Sequence, residues 1–94
     1  MNFIVKLSKE YTFEGHKYTE VDLSGIQDFT TADICDINTK WRIARGSAVL
    51  PEYDMLWACY AGAKAAKQPV EFFSGLPAKD GKKVRDLCIE FFQD

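Results

Sequence analysis

Apolar positions in the first quarter of the chain run together or alternate. Phe3, Ile4, Val5 and Leu7 form one group, Tyr11 and Phe13 a second, and Tyr18, Val21 and Leu23 a third. These are β-forming residues with polar ones between them. Glu14-Gly15-His16 separates the second and third groups and reads as a turn, because Gly15 takes positive φ without strain. The pattern predicts an antiparallel hairpin of about 11–14 against 17–23 within a β region covering residues 1–25. Ser8-Lys9-Glu10 is expected to break or bulge the first strand. A two-stranded ribbon is marginal alone, so it must lie on helices.

Beyond Ser24 the period changes. Thr30 and Asp33 stand at capping-box spacing, which satisfies two of the amide groups left open at a helix start. Ile34, Ile37, Trp41 and Ala44 then share one face, and Gly46 marks the end, predicting a helix over 30–45. A second helix, over 52–67, has almost no polar face through Met55-Leu56-Trp57-Ala58-Cys59-Tyr60-Ala61. Such a helix is either central in a core or covered by a partner, and the sequence leaves both open. Pro69 interrupts, a short helix over 70–75 carries Phe72 and Phe73, and Pro77 opens a last helix over 77–92. In that helix Val84, Leu87, Cys88, Phe91 and Phe92 follow one stripe, with Lys82, Lys83, Arg85, Asp86 and Glu90 largely opposite. The fold class is therefore α+β: an N-terminal antiparallel hairpin packed on three to four helices. With 94 residues, 1–94 is a single domain.

Composition narrows the function. A net charge of −2, with 12 basic against 14 acidic residues, gives no broad positive field for nucleic acid. The local basic excess, Lys79, Lys82, Lys83 and Arg85, sits on the last helix, and such runs are usually solvated faces. It leaves a small regulatory nucleic-acid-binding module as the alternative reading. Cys35, Cys59 and Cys88 are widely spaced with no Cys-x-x-Cys pair, so no zinc site is expected. Each lies in an apolar helical stretch and reads as a reduced core thiol of a cytosolic protein. Asp28, Asp33 and Asp36 lack the spacing of a calcium loop. His16 has Glu14 and Glu20 nearby but no nucleophile, so it reads as a surface histidine. No Gly-rich phosphate loop occurs and no apolar run reaches membrane-spanning length. Neither enzyme chemistry nor a cofactor is expected.

Aromatic residues remain. Tyr53, Met55, Trp57, Tyr60, Phe72 and Phe73 are candidate partner-binding residues, since large rigid side chains dominate interface energetics.

Two segments, YTFEG…YTEVDLSG (from Tyr11 to Gly25) and PVEFFSGLPAKD…KV (from Pro69 to Val84), resemble the tail assembly chaperones of contractile-tailed bacteriophages and prophages. The similarity covers most of the chain in order, though 40–52 adds little. The resemblance implies a non-catalytic protein of the bacterial host cytoplasm that is absent from the finished particle. It implies binding to the tape measure protein before the tail tube polymerises around it. It also implies a second, longer product made by ribosomal frameshifting, whose extension engages tail tube subunits. No family motif assigns contact residues one by one.

Overall fold

The hairpin is built around its turn. Glu14 and Gly15 both have positive φ, 49° and 80°, so the two-residue loop twists with the strands it joins. Phe13 and His16 face each other across it, which places His16 in a strand where the sequence reading put it in the turn. Strand β1 spans Ile4–Phe13 and β2 spans His16–Asp22, paired antiparallel. The predicted disturbance at Ser8-Lys9-Glu10 is a bulge rather than a break. Lys6 faces Glu20 but Tyr11 faces Tyr18, so residues 7–10 of β1 lie opposite Thr19 alone.

The computed structural model of the protein describes residues 1–45 and 54–93. A 3-10 turn over Ser24–Asp28, absent from the sequence expectation, carries the chain off the hairpin and buries Ile26. Helix α1 follows over Thr31–Arg45, α2 over Met55–Ala66, α3 over Val70–Ser74 and α4 over Ala78–Phe92. The expected end of the first helix at Gly46, the connector through Pro51 and the expected start of the second helix at residue 52 lie outside the described residues.

Local chemistry explains where these helices start. The Thr30 amide donates to Asp33 Oδ2 at 2.8 Å, and the Asp33 amide donates to Thr30 Oγ1 at 3.2 Å, completing the predicted capping box. Asp54 accepts from the Leu56 amide at 2.7 Å and caps α2. Pro77 sits one position before α4, and its carbonyl accepts from the amides of Asp80 and Gly81.

Helix α2 is the centre of the molecule. It packs against α1, α3, α4 and the 3-10 turn, and it buries Trp57, Ala58, Ala61 and Gly62. Small residues permit this closeness. A Cβ on Gly25 would collide with the Ala65 carbonyl oxygen, and one on Gly62 would stand 2.8 Å from the Phe73 ring. The hairpin is fastened by Phe72, whose ring meets Tyr11, Phe13 and Tyr18 edge-on at 4.9–5.3 Å between centroids. Tyr11 Oη also donates to the Phe72 carbonyl at 2.8 Å. Leu23, Ile26, Ile37, Val84 and Cys88 complete a continuous core. Trp41 is buried with them, and its indole N–H finds no acceptor among the described residues. An orphaned donor of this kind costs about 1–3 kcal/mol.

A second fastening lies at the bulge. Asp80, in the first turn of α4, is completely buried. Its carboxylate accepts from the Ser8 amide at 2.9 Å and from Ser8 Oγ at 3.0 Å, while Lys83 Nζ lies 3.6 Å away. Ser8, within the bulge, thus gives both of its donors to α4.

Candidate functional site

The six candidate partner-binding residues fall in different places. Trp57, Phe72 and Phe73 are only 3%, 1% and 2% exposed, so the chain's own core covers them. This corrects the picture of an aromatic surface: α2 looks apolar all round because it is surrounded by four elements of its own chain. Trp57 lies edge-on to Phe92 and donates its indole N–H to Asn38 Oδ1 at 2.7 Å, so both its apolar and polar needs are met internally. Tyr53 lies outside the described residues. Met55 and Tyr60 are half-buried and reach the surface on α2.

Met55 opens an apolar groove between the start of α2 and the α3–α4 connection. The groove is about 440 Å³, lined by Met55, Leu56 and Cys59 on one side and Phe73, Leu76 and Ala78 on the other. Phe73 and Leu76 form its buried floor. The methyl of Met55 lies against Gly81, 3.0 Å from where a Cβ would stand, so that glycine gives the side chain its seat. An unbranched thioether over an apolar floor suits adaptable contact with other apolar side chains. The sequence reading found Met55 and Phe73 but missed Leu56, Cys59 and Leu76. The spacing of Met55 and Cys59 at i, i+4 was the available signal for one wall. The other wall comes from a different helix and had none.

Tyr60 lines a separate cleft of about 340 Å³ between α1 and α2, with Ile37 and Val70 as apolar lining and Asp36, Lys40 and Lys64 as charged lining. Lys64 Nζ stands 3.0 Å from Asp36 Oδ2 and 3.5 Å from Asp33 Oδ1. Lys40 approaches Asp36 at 3.2 Å. The Thr30 amide, and then the Lys64 charge, hold the Asp33 carboxyl below its ordinary value. Hydrogen bonds from Lys64 and Lys40 do the same for Asp36. The bond to Asp36, with the Asp36 and Asp33 charges, in turn pushes the Lys64 ammonium up. Of the three carboxylates weighed as a metal cluster, Asp33 and Asp36 are thus paired with lysines, and no metal-holding group of three ligands occurs among the described residues.

No known relative is found. Comparison of the chain with protein-family models, with curated proteins and with solved structures gives no match.

The remaining candidates are dispersed. His16 is exposed at the hairpin end and lines neither of the two grooves. On α4, Lys83 donates to the Lys6 carbonyl at 2.8 Å and Arg85 pairs with Asp86 at 3.2 Å, so half of the basic run is engaged within the fold. The cysteines are all free, but only Cys88 is a core thiol. Cys59 is half-buried, and Cys35 is exposed on α1, away from the stripe that buries Ile37 and Trp41. Burial pushes the Cys88 thiol up to about 12 and also raises Cys59, where the Asp54 charge adds to the effect. Neither thiol is therefore an activated nucleophile. No helix among the described residues is long and apolar enough to cross a membrane.

Proposed function

We propose that this chain is a phage tail assembly chaperone that binds the tape measure protein in the host cytoplasm before the tail tube polymerises. The observation that carries the reading is the Met55–Leu76 groove: a largely apolar, methionine-edged slot formed between two helices, with Asp54 at its rim. A tape measure protein is a long helical chain whose apolar stripe aggregates if left bare. A helix laid in such a groove buries one or two anchors at a time, which gives reversible cover along the stripe. The hairpin-then-helices order and the two sequence phrases support the same reading. A frameshifted longer form and tail tube subunits would be further partners.

The test is capture by the tagged chain from cells expressing the accompanying tail genes, read by mass spectrometry. The expected result is recovery of a long helical protein. Met55→Glu should lower that recovery by about 10-fold, the scale of losing one anchor of about 1.4 kcal/mol, while leaving the melting temperature in place. Capture of no such protein, or equal capture by Met55→Glu, refutes the proposal.

A further inference from the structure

Helix α1 is held from one side. Among its described residues Ile37 and Trp41 are the buried ones, and the element it packs on closely is α2. Its neighbours are fastened twice over. Helix α4 meets β1 through Asp80 and Phe91 and meets α2 through Phe92. Helix α3 grips the hairpin with Phe72 and sets Phe73 against Gly62 of α2. The ties from α1 to α2 include a hydrogen bond and two ion pairs. Asn38 Oδ1 accepts from the Trp57 indole at 2.7 Å, while Asp36 and Asp33 pair with Lys64 at 3.0 and 3.5 Å. The three charged side chains are 31–43% exposed, so water screens their attraction. The seat is also imperfect. The cleft of about 340 Å³ between Asp36, Ile37 and Lys40 of α1 and Tyr60, Ala63 and Lys64 of α2 leaves the two helices unpacked along part of their length. One turn beyond Ile37, the buried indole N–H of Trp41 has no acceptor among the described residues. A gap and an unmet donor both weaken the closed interface.

We infer that α1 is a hinged cover, which lifts from α2 as one unit while the hairpin, α3 and α4 stay in place. The hinge is Phe29-Thr30. Phe29 belongs to the fixed part: its ring stacks on Phe92 at 6.3 Å and its amide donates to the Ile26 carbonyl at 3.3 Å. The capping box of Thr30 and Asp33 is internal to the helix start, so it travels with the cover. Lifting turns Trp57, Tyr60 and Lys64 to water. These stand at i, i+3 and i+7 on one face of α2, and each meets α1 in the closed form. Two of the residues with the composition of a binding surface, Trp57 and Tyr60, therefore lie beneath a part that moves. The Met55 groove has no α1 residue in its lining, so the opening stands apart from the function proposed above. A released helix of 15 residues is marginal in water, so its amides exchange with solvent while the cover is up.

Native-state hydrogen exchange on the full chain in low urea, read by NMR, tests this. The expected result is one shared opening for the amides from Cys35 to Ala44, roughly 100-fold more frequent than global unfolding. Its urea dependence should be shallower than that of the α4 amides, because less surface is bared. Two variants separate the opening from global unfolding. Asn38→Ala weakens the closed seat, which both processes give up, so it should speed exchange in α1 and α4 alike, by about 5-fold. Ser8→Ala weakens a contact that survives while the cover is up. It should therefore speed exchange in α4 and the hairpin by about 5-fold and leave α1 unchanged. Amides of α1 that share the rate and urea slope of α4 overturn the inference. So does an α1 that Ser8→Ala accelerates as much as α4, or one that Asn38→Ala leaves unchanged.

Discussion

Replacing Asp80 with alanine should be among the most damaging single changes in the molecule outside the apolar core. The carboxylate is 0% exposed and accepts two hydrogen bonds from Ser8, at 2.9 and 3.0 Å, with the Lys83 ammonium at 3.6 Å. A hydrogen bond to a charged group contributes about 1.5–3 kcal/mol, and a donor left without a partner costs about 1–3 kcal/mol. Removing the charge also removes the penalty of burying it, which offsets part of the loss. The balance for Asp80→Ala is about 3 kcal/mol, out of the roughly 5–14 kcal/mol expected for a domain of this size. At about 0.2 kcal/mol per degree, that lowers the melting temperature by about 15 °C. Ser8→Ala loses one hydroxyl bond and keeps the amide bond, so it should lose about 1 kcal/mol. Asp80→Asn should fall between them, since its amide oxygen still accepts from Ser8 while its NH2 can donate to the serine hydroxyl. Urea unfolding followed by circular dichroism measures all three, provided the slope m stays constant. A loss under 1 kcal/mol for Asp80→Ala would show that the bulge is held by its own strand pairing, and the argument from the buried carboxylate would fail.

Gly25→Ala should cost about 1–3 kcal/mol or more, because its Cβ meets the Ala65 carbonyl, which is backbone and does not swing aside; thermal melts check this, and an unchanged melt would contradict it. The Asp33–Asp36–Lys64 group makes stability pH-dependent at both ends. The two carboxylates are held below their ordinary 3.8, so their contribution is present above that value and is lost as pH falls through the lowered folded values. Lys64 is raised above 10.5, so its contribution is present below that and is lost as pH climbs through its folded value. Urea midpoints across pH should show both losses, and Lys64→Met should abolish the alkaline one from this group. Iodoacetamide on the folded protein at mildly alkaline pH should modify Cys35 first and Cys59 slowly, with Cys88 reacting only on unfolding; mass spectrometry of peptides gives the order, and early labelling of Cys88 would contradict the burial.

What was legible in the sequence is what neighbouring residues decide among themselves. Glu14-Gly15 makes its turn through two φ angles, and Thr30 and Asp33 cap a helix across three positions. Even the bulge at Ser8-Lys9-Glu10 announced itself as a polar interruption between apolar groups. What stayed hidden depends on residues far away in the chain. Asp80 looks like any acidic residue in a first turn until Ser8 is brought to it from the hairpin. Trp57, Phe72 and Phe73 have the composition of a binding surface, and only the placement of four elements around α2 makes them core. The groove at Met55 needs walls from two helices, and a pattern along one helix shows half of it. Cys35 went the other way: it lies in an apolar-looking stretch, but a step of two residues from Ile37 turns it outward.

The fastening of the hairpin also sets a timetable. Its anchors lie late in the chain: Phe72 is 61 residues beyond Tyr11, Asp80 is 72 beyond Ser8 and Lys83 is 77 beyond Lys6. A ribosome adding roughly 5–20 residues per second leaves the two strands waiting for several seconds with nothing to lie on. The ribbon, first to be made, is therefore among the last parts to become secure. Folding has to close long loops before those contacts reward it, which makes this largely helical chain slower to fold than its helix content suggests. During that interval both strand edges are bare, including the Lys6 carbonyl that Lys83 covers once the chain has folded.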